Sequence, residues 1–188
     1  MSSPAPARTR RDQILATAAT MFAERGFHGV SVGDLGAACG VSGPALYRHF
    51  ASKDAVLAEM LVGISERLLA EGRSRVAAAP DERSALAALV GWHIEFALEH
   101  RALIVVQERD WASLPRDARE RVRSLQLRYI DVWVEVLRRL RPELDRPTAR
   151  ASCQAAFGLL NSTPHSARLS AQRMRTLLEE MALAALLP

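Results

Sequence analysis

Apolar residues recur every three or four positions along almost the whole chain, which is the spacing of amphipathic α-helices. The only candidate for a β-strand is the run 103–106, and no alternation of period two supports it. Capping residues, glycines and prolines mark where each periodic segment ends. The pattern predicts an all-α fold with helices over 9–25, 32–39, 43–50, 53–78, 81–100, 102–112, 116–140, 147–161 and 170–187.

Short helices with tight turns come first, and longer helices follow. Gly26 is the expected stop of the first helix, and Ser31 can cap the second. Gly40 can take the left-handed conformation that a tight turn needs, and Ser42 can cap the third helix. Two short helices thus meet across a short turn, as in a helix-turn-helix whose second helix enters the DNA major groove.

The residues in and around this turn resemble the DNA-binding domain of the TetR family of bacterial transcriptional regulators. The resemblance is close over about 9–58 and extends to helix number and length in the rest of the chain. The motif residues are Phe22, Gly26, Ser31, Val32, Asp34, Leu35, Gly40, Val41, Ser42, Leu46, Tyr47, Arg48, His49, Phe50, Ser52, Lys53 and Asp54. Gly33, Gly36, Gly43 and Pro44 depart from the usual family pattern.

The resemblance implies an all-helical homodimer, usually a repressor, whose variable C-terminal domain binds a small molecule and thereby releases DNA. Residues 1–52 are then an N-terminal arm and a three-helix DNA-binding domain. Residues 53–188 are a larger helical domain for effector binding and dimerisation, and the helix 53–78 links the two. In the family, the last two long helices pair between subunits, so 149–163 and 170–187 are the expected dimer interface.

The candidate DNA-binding residues fall into two groups. Hydroxyls, imidazoles, ammonium groups and helix N-termini bind phosphates and set the position of the protein on DNA. Arginine can pair with guanine, and small apolar groups can contact the thymine methyl. We expect phosphate contacts from Ser31, Ser42, Tyr47, His49 and Lys53, and base contacts from Pro44, Ala45 and Arg48.

The assignment of Arg48 and the assignment of the N-terminal arginines each have an alternative. A phosphate contact is the main alternative to base reading by Arg48. Arg8, Arg10 and Arg11 form a basic arm before the first helix that suits the minor groove or the DNA backbone. The alternative for that arm is a disordered tail.

Residues 81–188 carry aromatic side chains together with polar residues on otherwise apolar helix faces, as a small-ligand pocket requires. For His93 and Asn161 the alternative is a hydrogen-bonded place in the core. An apolar cavity with arginine at its rim suits an acyl chain with an anionic head, including acyl-CoA, and aromatic compounds fit almost as well. The candidate ligand-binding residues are Trp92, His93, Phe96, Arg109, Trp111, Tyr129, Trp133, Phe157 and Asn161.

Composition narrows the classes of protein that fit this sequence. The 188 residues carry a net charge of +4 and are 49% hydrophobic, which fits a packed globular protein better than a disordered one. No secretory signal or membrane span is recognisable, so we expect a cytoplasmic, nucleoid-associated protein without a membrane partner. The two cysteines, Cys39 and Cys153, are too few for a disulfide framework or a zinc site.

No spacing points to a cofactor, a metal site or a catalytic arrangement. His93 and His100 lie seven residues apart on one helix face, but no third metal ligand accompanies them. Two other functions stay open, an enzyme and a DNA-binding dimer without an effector. Repression and activation are also not distinguished by the residues.

Overall fold

The computed structural model describes residues 9–41, 43–166 and 168–187, with only the backbone at 43 and 44. Over these residues the chain is all-α and contains no strand, and the run 103–106 lies within a helix. The helices are α1 Arg10–Arg25, α2 Val32–Ala38, α3 Gly43–Leu46, α4 Lys53–Ala78, α5 Glu82–Glu99, α6 Arg101–Arg109, α7 Arg116–Leu140, α8 Arg146–Leu160, α9 Thr163–Ser166 and α10 Ala171–Leu186, with a 3₁₀ turn at Trp111–Ser113.

Most predicted helices are confirmed to within a residue or two, and their ends show the expected caps. Ser31 and Ser52 accept hydrogen bonds from backbone N–H groups at the starts of α2 and α4. The third helix is shorter than predicted, because after Leu46 it continues only as a turn in which His49 N–H donates to the Leu46 carbonyl at 2.9 Å. Asn161 ends α8, and Pro164 lies in the first turn of the separate helix α9.

The first three helices share one core with the beginning of α4. Phe22 and Leu35 are fully enclosed there, and Val41 lies half-buried at its edge. The same core also takes in Val106 of α6 and Val122 of α7, so side chains from the second half of the chain close it. The domain boundary expected at residue 52 stays a prediction, and the core continues across it.

The larger core lies between α4, α5, α7, α8 and α10, where Trp133 is fully buried. At Gly72, α4 comes close to α7, since a Cβ there would lie 2.6 Å from Cε2 of Tyr129. Thr163 fixes α9 by donating from its hydroxyl to the Ala97 carbonyl at 2.6 Å. These contacts place α4 and α7 side by side along the length of the larger core.

Candidate DNA-binding surface and ligand cavity

The turn between α2 and α3 is built as the sequence predicts. Gly40 has a φ of +66°, the left-handed conformation that glycine adopts without strain. Ser31 and Asp34 form a reciprocal capping box, in which the Ser31 hydroxyl donates to the Asp34 carboxylate at 2.6 Å. These hydrogen bonds from Ser31 lower the pKa of Asp34. The capping role of Ser31 is thus confirmed, and its phosphate contact stays a prediction.

Tyr47 and Arg48 project from the end of the helix-turn-helix into solvent. The Tyr47 side chain is 54% exposed, and Arg48 is exposed beside it. Within the described part of the chain, neither side chain makes a hydrogen bond or an ion pair, so both are available to DNA. Ala45 and His49 lie half-buried on either side. The expected contributions of Ser42 and of the Pro44 side chain fall outside the described residues.

Lys53 does not project into solvent as the sequence suggested. Its ammonium donates to the carbonyls of Phe27 and Val30, both at 2.8 Å, and lies 4.3 Å from the centre of the Phe27 ring. An ammonium has three donors, so at most one is left for a phosphate. Lys53 therefore holds the loop after α1 against the start of α4, a role that the sequence did not predict, and its phosphate contact stays a prediction.

Arg10 and Arg11 likewise belong to the fold, as the first residues of α1. Arg10 donates to the Cys39 carbonyl at the end of α2. Arg11 pairs with Glu59 of α4, with 2.5 Å between Nε and Oε1, and lies over the ring of Phe50. The expected free basic arm is therefore wrong for these two arginines, which join α1 to α2 and α4. Arg8 lies outside the described residues.

A cavity of about 200 Å³ lies among α4, α5, α6, α7 and α8. Five of the nine expected ligand-binding residues line it, namely His93, Phe96, Tyr129, Phe157 and Asn161. The remaining lining residues are Leu68, Ile104, Gln107, Glu108, Gln126, Ile130 and Gln154. Sequence reasoning had not singled out Gln126 and Ile130 as site residues, although they share the helical stripe of Tyr129 and Trp133 on α7.

The other four expected residues do not line this cavity. Trp133 packs behind Phe157, with 4.7 Å between the ring centres. Trp92 faces away, between the guanidinium groups of Arg67 and Arg75, and donates to the Leu68 carbonyl at 3.4 Å. Their expected ligand contacts are therefore corrected to supporting positions in the large core.

Arg109 and Trp111 are turned towards the DNA-binding half. Trp111 packs at the edge of the small core. The Arg109 guanidinium donates to the carbonyls of Phe22 and Ala23, the latter at 3.0 Å, and pairs with buried Asp110 at 3.1 Å. Both residues link the two halves of the protein and are not ligand contacts in this cavity.

His93 is the polar centre of the cavity wall. Its Nε2 lies 3.0 Å from Oδ1 of Asn161, and the centre of its ring lies 4.7 Å from that of Phe157. Burial lowers the pKa of His93 to about 4, against a smaller opposing effect of the Asn161 hydrogen bond. Burial also raises the pKa of Tyr129, so both side chains are uncharged near neutral pH.

Among the described residues, no three histidine, cysteine or carboxylate side chains lie close enough together to hold a metal ion. In the same part of the chain, no helix is long and apolar enough to cross a membrane.

A DNA-reading helix pair on a helical ligand-binding body defines a helix-turn-helix transcription regulator. Residues 14–60 match the model of bacterial regulatory proteins of the tetR family, and 77–165 match a tetracyclin repressor-like C-terminal domain. The chain belongs to the TetR family, whose members are regulators rather than enzymes.

Two curated relatives are called HTH-type transcriptional repressor KstR2. The one from Mycobacterium tuberculosis is 34% identical over 146 residues, which cover 73% of this chain and 72% of the relative. The one from Rhodococcus jostii is 33% identical over 129 residues, 68% of this chain but only 63% of the relative. A TetR-family regulator from Bordetella parapertussis superposes with a TM-score of 0.82 at 29% identity, covering 92% and 93% of the two chains.

Substitutions of Arg48 and Lys53 should have different effects, the first on DNA binding and the second on the stability of the fold. Arg48→Ala should weaken binding to a selected operator by about 1–3 kcal/mol and binding to random DNA much less, because it removes base contacts.

Lys53→Met should lower the free energy of unfolding by about 1–3 kcal/mol, since it leaves two carbonyls without their charged donor. Urea unfolding and fluorescence anisotropy measure the two effects.

Equal losses for Arg48→Ala on both DNAs would assign Arg48 to the backbone. If Lys53→Met unfolds like the wild type but shows a shallower salt dependence of DNA binding, Lys53 is a phosphate contact after all.

His93 should make the protein less stable in mild acid. Its pKa is about 4 when folded and near 6.5 in an unfolded chain, so the unfolded state binds more protons between those values. Stability should fall as the pH drops below about 6.5, by about 2 kcal/mol at pH ~5. His93→Gln should flatten this fall in urea titrations at several pH values. Exposed His165→Gln is the control and should keep the wild-type slope; an unchanged slope in His93→Gln would contradict the assignment.

Proposed function

We propose that this regulator is a homodimeric repressor that binds a two-fold related operator and leaves it when a small apolar compound occupies the cavity. The relatives named above carry the word repressor in their names, which supports repression over activation. The cytoplasm, at the nucleoid, is the compartment where this function is exercised.

Operator binding is proposed to run through the exposed end of the helix-turn-helix. Arg48 reads a base edge, and Tyr47 binds a phosphate beside it, because their polar ends are free within the described part of the chain. Ser31, Ser42, His49, Pro44 and Ala45 contribute the further phosphate and base contacts expected from the sequence.

The dimer interface is proposed to form from the outer faces of α8 and α10. Leu177 and Met181 lie one turn apart on α10 and are 40% and 46% exposed, so together they form an apolar patch on its outer face. On α8, Ala151, Ala155 and Gly158 form an exposed row of small residues that permits close approach of another helix. Two copies of this helix pair would bury the apolar row in a four-helix bundle.

The ligand is proposed to act through α6, and the position of α6 is the observation that carries this function. Ile104, Gln107 and Glu108 of α6 line the cavity, and the next residue, Arg109, binds the last carbonyls of α1. A compound that moves α6 must therefore strain the contact with the DNA-binding half. A coupling of about 1–3 kcal/mol would change operator affinity roughly 5- to 150-fold.

The cavity favours an apolar effector over an acyl-CoA. Among the described residues, no arginine or lysine lines it, so this part of the chain does not supply the arginine rim expected from the sequence. Glu108 is the charged residue among its lining, and it lies exposed at the outer end. A negatively charged head group would meet repulsion at that end and no counter-charge inside.

Dimerisation should depend on the apolar row of α10. Leu177→Glu or Met181→Glu places a charge within the proposed interface, so sedimentation at micromolar concentration should show single chains where the wild type shows two. Leu127→Glu is the matched control, because Leu127 is 44% exposed on α7 and should tolerate the charge. Dissociation by Leu127→Glu, with none by the α10 variants, would place the interface elsewhere.

Filling the cavity should mimic the effector. Ile104→Phe enlarges a buried side chain of α6 and should weaken operator binding at least five-fold, as a ligand would. In an Arg109→Met background most of this effect should disappear, because the connection to α1 has been removed. Anisotropy titrations with a selected operator measure all four proteins, and thermal melts report whether each one folds.

The control is Leu127→Phe, which adds similar volume at an exposed position and should leave operator binding unchanged. The same loss of affinity with and without Arg109 would show that the coupling takes another path. A folded Ile104→Phe protein with wild-type operator affinity would favour the alternative function, a DNA-binding dimer without an effector.

A further inference from the structure

Two residues that line the cavity carry a buried polar atom without a well-formed hydrogen bond in the described part of the chain. The atoms are Oη of Tyr129 and Nδ1 of His93, and the two residues are almost completely buried, at 4% and 3% exposure. Burial raises the pKa of Tyr129, and the indole N–H of Trp133, which is the donor nearest to the Tyr129 oxygen, lowers that pKa by less. The hydroxyl proton of Tyr129 has no acceptor in that part of the chain. Buried polar atoms in proteins are nearly always paired, so two such atoms at one cavity indicate partners that a ligand supplies.

The ligand has no charge to meet inside the cavity. His93 and Tyr129 are uncharged at neutral pH, and the nearby arginines are already engaged. Arg75 pairs with Glu95 at 3.3 Å, and Arg109 binds the carbonyls of α1. A carboxylate or phosphate placed against the inner wall would therefore lose its hydration without gaining a counter-ion.

The rest of the wall is apolar and mostly aromatic. Phe96 and Phe157 flank His93, with ring centres 5.4 Å and 4.7 Å from the centre of its ring. The cavity of about 200 Å³ has room for a compact ring system but not for a long chain. A saturated or aromatic ring body would contact these faces.

The ligand atom that pairs with both Tyr129 and His93 must both donate and accept a hydrogen bond. Tyr129 offers a hydroxyl proton, which needs an acceptor. Nε2 of His93 faces the carbonyl oxygen of Asn161, which only accepts, so Nε2 carries the proton of the neutral ring and Nδ1 is an acceptor. A hydroxyl group can accept from Tyr129 and donate to Nδ1, whereas a ketone or an ether offers only an acceptor.

We propose that the buried end of the effector is an uncharged ring body bearing a hydroxyl group, which hydrogen-bonds to Tyr129 and His93. The proposal rests on the ligand site proposed above and specifies its chemistry. Tyr129 and His93 thereby determine specificity, since each would be left unpaired by a pure hydrocarbon.

Three probes of one shape test this chemistry, namely decalol, decalin and decalin carboxylate, each titrated into the full chain by calorimetry. Decalol should bind at least five-fold more tightly than decalin, because it pairs two buried polar atoms. Decalin carboxylate should bind at least ten-fold more weakly than decalol, because its charge has no partner.

Tyr129→Phe is the decisive variant. It should weaken decalol binding about five-fold and leave decalin binding unchanged, since only the alcohol uses the phenol. Without ligand, Tyr129→Phe should melt within a few degrees of the wild-type temperature, because the deleted hydroxyl loses only its contact with the Trp133 indole. The control Thr20→Val removes an exposed hydroxyl of α1 and should change neither affinity.

Equal binding of decalol and decalin, tighter binding of the carboxylate, or no binding of any probe would overturn the proposal. A large fall in the melting temperature on Tyr129→Phe would also overturn it, because the hydroxyl proton would then have an acceptor within the protein. If no probe binds but Ile104→Phe still weakens operator binding, the ligand chemistry fails and the proposed release stands. If decalol binds as expected but leaves operator affinity unchanged, the release fails and the ligand chemistry stands.

Discussion

The contact between Arg109 and the end of α1 joins the helix that lines the cavity to the helix-turn-helix half of this protein. The last carbonyls of a helix have few partners within the helix. Here the Phe22 carbonyl accepts from the Gly26 N–H at 2.8 Å, and a guanidinium from α6 donates to the carbonyls of both Phe22 and Ala23. Gly26 follows with a φ of +80°, and a Cβ there would lie only 3.9 Å from Arg109 Cζ. The arginine also neutralises the buried carboxylate of Asp110. One side chain thus ends α1, stabilises the end of α6 and connects them.

The shared core ensures that a movement at this contact is transmitted between the two halves of the protein. Val106 of α6 packs in the same core as Phe22 of α1, so the helix that lines the cavity also closes the DNA-binding half. The packing of protein interiors is dense, and a shift of α6 cannot be absorbed locally. The long helix α4 adds a second connection, since it begins at Lys53 beside the helix-turn-helix and passes Tyr129 at Gly72. The cavity and the helix-turn-helix are therefore joined by continuous packing and move together as one unit.

The sequence was sufficient for the helices and the turn because the signals for these are local. Apolar spacing, caps and Gly40 act within a few residues, and each is found where it was predicted. The partners of long charged side chains are not local. The carbonyls that bind Lys53 lie 23 and 26 residues earlier in the chain, and Arg11 meets Glu59 across 48 residues. The roles of these cations as links within the fold could not be derived from spacing.

A similar limit applies to the ligand cavity. Helix α5 is apolar on nearly every face, so its periodicity could not show that His93 faces the cavity while Trp92 faces α4. A polar residue on an apolar helix was the useful signal, and it led to His93 and Asn161, which both line the cavity. It could not show whether both ring nitrogens of His93 are hydrogen-bonded, because that depends on groups from α7 and α8.

The unpaired polar atoms of the cavity have a cost that a stable core would not retain. An unsatisfied buried donor or acceptor destabilises a protein by about 1–3 kcal/mol, and replacing it with an apolar group of the same shape is often neutral or better. Tyr129 and His93 keep such atoms beside well-packed rings, where phenylalanine or leucine would serve packing as well. A compound that pairs these atoms would gain the free energy of hydrogen bonds that the unliganded protein does not form. The compound would bind beside α6, so this binding free energy could be used to move α6 and with it the arginine that connects the cavity to the DNA-binding helices.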